Sequence, residues 1–156
     1  MKPSLPILVS SLLLFLSPFA VAQSGVSESI NAPGVQRLAD IMSVTQLRHI
    51  KLWFAGKSSN WKLADYELQQ FRASLVEAAS LYPGIPVTNV TMMADPVQAV
   101  ADAIKAKNSR AFANTFVALT DGCNACHRSM GLDFIVVKIP TTSPFSDQAF
   151  PPPGGR

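Results

Sequence analysis

Four stretches of this 156-residue chain place apolar side chains at steps of three and four, the spacing that lines one face of an α-helix. In the first, Val35, Leu38, Met42, His49 and Trp53 recur between a start at Asn31-Ala32-Pro33 and Gly56, which reads as the C-terminal cap. The second opens at Ser59 or Asn60 and runs through Leu68, Phe71, Leu75, Ala78 and Tyr82 to a stop at Pro83-Gly84. After a connection from Ile85 to Ala94, Asp95-Pro96 starts a shorter third helix through Val97, Val100, Ala101 and Ile104. Asn108 or Ser109 opens the fourth, whose stripe is Phe112, Phe116, Leu119, Cys123 and Cys126, ending at Gly131. Successive amphipathic helices on short connections bury their stripes against one another. The expected fold class is therefore all-α, an antiparallel four-helix bundle over residues 33–131.

Beyond Gly131 the pattern changes. Phe134-Ile135-Val136-Val137 is apolar and largely β-branched, and five prolines fall in the last 17 residues. Residues 132–156 are expected as an extended, Pro-rich segment laid over the bundle. Phe134–Ile139 either shields the edge of a cofactor or caps the core, and capping is the simpler expectation.

The N-terminal segment reads as an address. Lys2 precedes an apolar core over residues 7–16, and Ala20-Val21-Ala22 offers small residues before Gln23. The apolar run from Ile7 to Ala22 contains Pro18 and falls short of the ~20 residues that span a bilayer. Residues 1–22 are thus expected to be a cleaved signal peptide and residues 23–32 a polar lead, with the mature protein soluble in the periplasm and free of membrane spans. Charged residues make up 15% of the chain with a net charge of +3, and both signs are interspersed, which gives no basis for a nucleic-acid partner.

The two cysteines then carry the chemistry. Cys123-Asn124-Ala125-Cys126-His127 is Cys-X-X-Cys-His, the attachment sequence of c-type haem. Thiols three positions apart share one face of a helical turn, where each can add to one vinyl group of a single haem, while the adjacent histidine reaches the iron. A thiol–disulfide motif would sit at a helix N-terminus after a strand, and zinc would require two further well-placed ligands; neither context is present. One covalent haem c on Cys123 and Cys126, with His127 as proximal ligand, is the expectation.

On this motif and on the four helical stripes, the chain resembles the cytochrome c′ group of c-type cytochromes, exported four-helix bundles with Cys-X-X-Cys-His on the last helix. The resemblance covers about residues 33–131. It implies a periplasmic haem protein that is not an enzyme, exchanging electrons with an unidentified redox partner protein and pairing, as many members do, into a homodimer. It also implies that the residue facing the second side of the iron comes from the first helix, where Met42, Thr45, His49 and Trp53 share a stripe. His49 is the first candidate for that position and Met42 the second. With either ligand the protein is an electron carrier; with neither, the open iron binds a small gas such as NO or CO, and a peroxidase-type activity is the remaining option. Met130 is the only methionine after the motif, too close to His127 to serve. Arg128 and Lys138 are candidate partners for haem propionates. Trp53 and Trp61 with Lys51, Lys57 and Lys62 form either a docking surface or, more simply, a solvated turn anchored by aromatics.

Overall fold

A computed structural model describes residues 37–154, so the signal peptide, the polar lead and the expected first helical turn at Pro33 lie outside the described residues. Among the described residues the regular structure is entirely helical: α1 (Leu38–Lys57), α2 (Trp61–Leu81), the single-turn α3 (Val87–Thr91), α4 (Ala94–Lys105) and α5 (Ser109–Ser129). No helix among them is long and apolar enough to cross a membrane.

The starts of α2 and α5 follow from the residues expected to make them, whereas α1 begins at Leu38 with Arg37 extended before it, so it does not run on from the expected start at Asn31-Ala32-Pro33, and α4 begins at Ala94 without a side-chain cap from Asp95. Asn60 accepts a hydrogen bond from the Leu63 N–H at 3.2 Å, and Asn108 accepts one from Ala111 at 3.0 Å. Asp40, in the first turn of α1, pairs with Arg37 at 2.9 Å and complements the positive end of the helix. The ends depart from expectation in one place. Gly56 does not cap α1 but lies inside it, buried, and the turn to α2 is made by Ser59 at φ +56°. The Ser59 N–H bonds to the Gly56 carbonyl and the Asn60 N–H to that of Ala55, the paired bonds of a Schellman closure. Lys107, at φ +52°, closes α4 in the same way. Gly56 is required for another reason: a Cβ there would strike the Phe112 ring of α5.

The stripes meet in one main core. Leu52 and Ala55 of α1, Leu68 and Phe71 of α2, Val97 and Val100 of α4, and Phe112, Phe116 and Leu119 of α5 are buried together. Full burial of such side chains contributes ~1.5–3 kcal/mol each before the entropy of ordering the chain is set against it. Trp53 and Trp61 extend this core, with ring centroids 6.2 and 6.1 Å from Phe112. A second cluster of Ile41, Ala78 and Tyr82 closes the end where α1 begins and α2 ends. α1 and α2 are further clasped by Arg48, whose guanidinium donates to the buried carboxylate of Glu67 at 3.1 Å.

The C-terminal segment is ordered against the helices. Ile139 and Phe145 pack on the main core and Phe150 is buried in it; the Phe150 carbonyl accepts from Asn60 Nδ2 at 3.0 Å. The expectation that Phe134–Ile139 caps the core holds only at its far end. Phe134, Ile135 and Val136 stay exposed because the backbone of this stretch is held to α5 by hydrogen bonds, which leaves those side chains in solvent.

Candidate functional site

The motif occupies the last two turns of α5. Cys123 and Cys126 are free thiols, each half-buried, and Cys123 leans on the main core. Burial, with a smaller contribution from Cys126, pushes the Cys123 thiol up to about 12; burial raises Cys126 as well. Both sulfurs are therefore protonated at neutral pH. Thiol–disulfide exchange works through a thiolate with a lowered pKa, and the C-terminal end of a helix disfavours that anion. Among the described residues no three His, Cys, Asp or Glu side chains gather into a metal-binding group, so the cysteines are not assembled into a zinc tetrahedron.

His127 is fixed by the chain that follows it. Gly131, at φ +70°, ends α5 with a Schellman pair: Gly131 N–H to the Arg128 carbonyl and Leu132 N–H to the His127 carbonyl. The backbone then folds back along α5 and brings the Ile135 carbonyl 2.8 Å from His127 Nδ1. A carbonyl only accepts, so Nδ1 carries a proton in this bond. One turn earlier on the same face, Asn124 pairs with both backbone groups of Val137: Nδ2 donates to the carbonyl at 2.9 Å, and Oδ1 accepts from the N–H at 2.8 Å.

His49 is anchored in a comparable way from α1. Its ring is 1% exposed, tilted against Phe116 at 4.5 Å between centroids, with Nε2 2.9 Å from Thr120 Oγ1. The Thr120 hydroxyl donates to the Phe116 carbonyl, so Nε2–H is the donor to Thr120. Among the described residues Nδ1 is left buried without a partner. Burial lowers the His49 pKa from 6.5 to about 4. The folded chain thus keeps His49 neutral where the unfolded chain, below pH 6.5, takes up a proton, and this contribution to stability is lost as the pH falls from about 6.5 towards 4. Its size is about 3 kcal/mol. Urea unfolding of the cofactor-free chain at pH 7 and pH 4 is expected to show that loss in excess of the loss in His49→Gln; parallel pH curves for the two proteins would contradict it.

Successive contacts set the register of α1 on α5: Gly56 meets Phe112, Trp53 meets Phe116, and His49 meets Thr120. Thr120 precedes Cys123 by one helical turn, so His49 borders the motif on its core side. The same register carries Met42 to the level of His127, yet the Met42 side chain packs with Ile41, Ala78 and Tyr82 in the second cluster. Met93 is instead the methionine buried against α5 at Gly122, in the core on which Cys123 packs. Arg128 and Lys138 are both exposed near the motif. Lys57 lies 5.5 Å from the Trp53 ring and Lys51 4.9 Å from that of Phe145, so both cover aromatics. The contributions of Thr120, Asn124 and Ile135 carry no sequence signal, since each acts through a contact made by the tertiary fold.

Compared with protein-family models, with curated proteins and with solved structures, the chain matches none.

Proposed function

We propose that this chain is a c-type cytochrome of the cytochrome c′ kind, an antiparallel four-helix bundle that carries one haem c and passes electrons in the periplasm. The observation that supports this reading is the His127 imidazole within Cys-X-X-Cys-His: its Nδ1–H is tied to the Ile135 carbonyl, which leaves Nε2 as the nitrogen available to a metal. A ligating histidine typically has one ring nitrogen anchored and the other free for the metal. Cys123 and Cys126 each add S–H across a vinyl double bond, sulfur to one carbon and hydrogen to the next, so attachment needs neither oxidant nor leaving group. The haem supplies a one-electron ferric–ferrous couple.

His49 is the stronger candidate for the second axial position. Its Nε2–H is tied to Thr120 and its Nδ1 is a buried lone pair with no partner, whereas Met42 is engaged in the second cluster. Two protein ligands leave no position for a substrate and restrict the protein to electron transfer with a redox partner. A second reading rests on the same side chain. Held by Thr120 and packed on Phe116, His49 can stand off the metal and leave an apolar face open to NO or CO.

The test is an optical spectrum of the purified exported protein, oxidised, reduced, and reduced under CO. A low-spin c-type spectrum indifferent to CO is expected for the electron carrier, with His49→Ala converting it to a high-spin form that binds CO. A wild-type spectrum already high-spin and CO-sensitive would move the function to gas binding. Absence of a c-type spectrum would end the haem reading.

A further inference from the structure

Between the motif cysteines, Asn124 is free to vary as far as attachment is concerned, yet it holds both backbone groups of Val137. A carboxamide can do this because it presents one donor and one acceptor in the arrangement of a peptide group. Asn124 and His127 lie three residues apart on one face of α5, and residues 135–137 run back along that face. The His127–Ile135 bond is solvent-exposed, and Ile135 is itself 45% exposed, so water competes for the bond. The Asn124–Val137 pair is part-buried and lies two residues further along the same backbone. It keeps the Ile135 carbonyl in register over Nδ1.

We propose that Asn124 is a positioning residue of the haem site: by clamping Val137 it holds the Ile135 carbonyl on the His127 Nδ1–H, fixing the tautomer and ring orientation of the proximal ligand and strengthening its electron donation to the iron. This rests on the haem reading above. An imidazole whose distant N–H is hydrogen-bonded is a better donor to the ferric state, so the clamp lowers the reduction potential.

The experiment compares haem-loaded wild type with Asn124→Ala, Asn124→Asp and Val137→Pro. The last leaves the motif untouched and removes the N–H that Asn124 accepts. Asn124→Ala and Val137→Pro are expected to raise the reduction potential and to speed exchange of the His127 Nδ1 proton with deuterium by tenfold or more, with covalent haem retained. Asn124→Asp keeps the acceptor but loses the donor, and is expected to fall between. Potentials and exchange rates equal to wild type in Asn124→Ala and Val137→Pro would overturn the role of Asn124 while leaving the haem reading intact. A wild-type protein without covalent haem would overturn that reading and this inference with it.

Discussion

On the proposed reading, the protein with Cys123 and Cys126 both replaced by alanine is expected to carry no haem that survives acidified organic extraction, whereas wild type is expected to keep all of its pigment and to have the mass of the chain plus one haem. The loss is expected to be complete because thioethers on these two sulfurs would be the only covalent links and the chain has no further cysteine to substitute. Cys126→Ala alone should keep a single link through Cys123. His127→Ala should keep both links but lose the low-spin spectrum, which separates attachment from ligation. Mass spectrometry of the wild type also discriminates the chemistries. A bare chain lighter by two hydrogens would mean a Cys123–Cys126 disulfide and a thiol-redox protein. A bare chain with both hydrogens present would mean that neither chemistry operates.

Among single substitutions at constant pH, the largest effect expected on stability is at Gly56. An alanine methyl there would overlap the Phe112 ring, which cannot swing aside because Trp53, Trp61 and Phe116 surround it. α1 and α5 would have to part or the ring leave its rotamer, at a cost of ~1–3 kcal/mol or more. Alanine regains about 1 kcal/mol over glycine in a helix interior. The net expectation is a loss of ~1 kcal/mol or more for Gly56→Ala, read as a lower urea midpoint at unchanged slope. Gly84, which has nothing within 4 Å of the corresponding position, is the control, and Gly84→Ala should leave the midpoint near wild type. Equal midpoints for the two variants would mean that α1 and α5 do not meet closely at this point. Because the same register brings His49 to Thr120, Gly56→Ala should also disturb the candidate axial position.

Gly56 also shows where reading the sequence stops short. A glycine after a helical stripe resembles a C-terminal cap, and only a ring from a helix more than fifty residues away reveals that its missing side chain is used for contact. The real turns rest on Ser59 and Lys107, residues whose left-handed backbone no composition rule would suggest. The short α3 was missed because Val87–Thr91 is one turn, too brief for a period to register. By contrast, the stripes of α2, α4 and α5 and the caps at Asn60 and Asn108 were legible, because they depend on neighbours within four residues. The candidate site divides in the same way. Cys123, Cys126 and His127 announce themselves through local spacing, while the anchoring of His127 and His49 depends on Ile135 and Thr120, contacts made by chain reversal and by helix packing.

The C-terminal segment fastens at two places that differ greatly in the length of chain they enclose. The bonds from Ile135 to His127 and from Val137 to Asn124 close loops of 8 and 13 residues, while the bond from Phe150 to Asn60 closes one of 90. Loop-closure entropy makes the long loop about 2 kcal/mol more expensive than the shortest. In folding order, the hairpin of α5 and residues 132–137 forms on local terms, and the far end docks only after α1 and α2 have come together. Hydrogen exchange is expected to follow the same order in reverse, with the Phe150 end opening before the short loops beside His127; equal protection of both ends would contradict it.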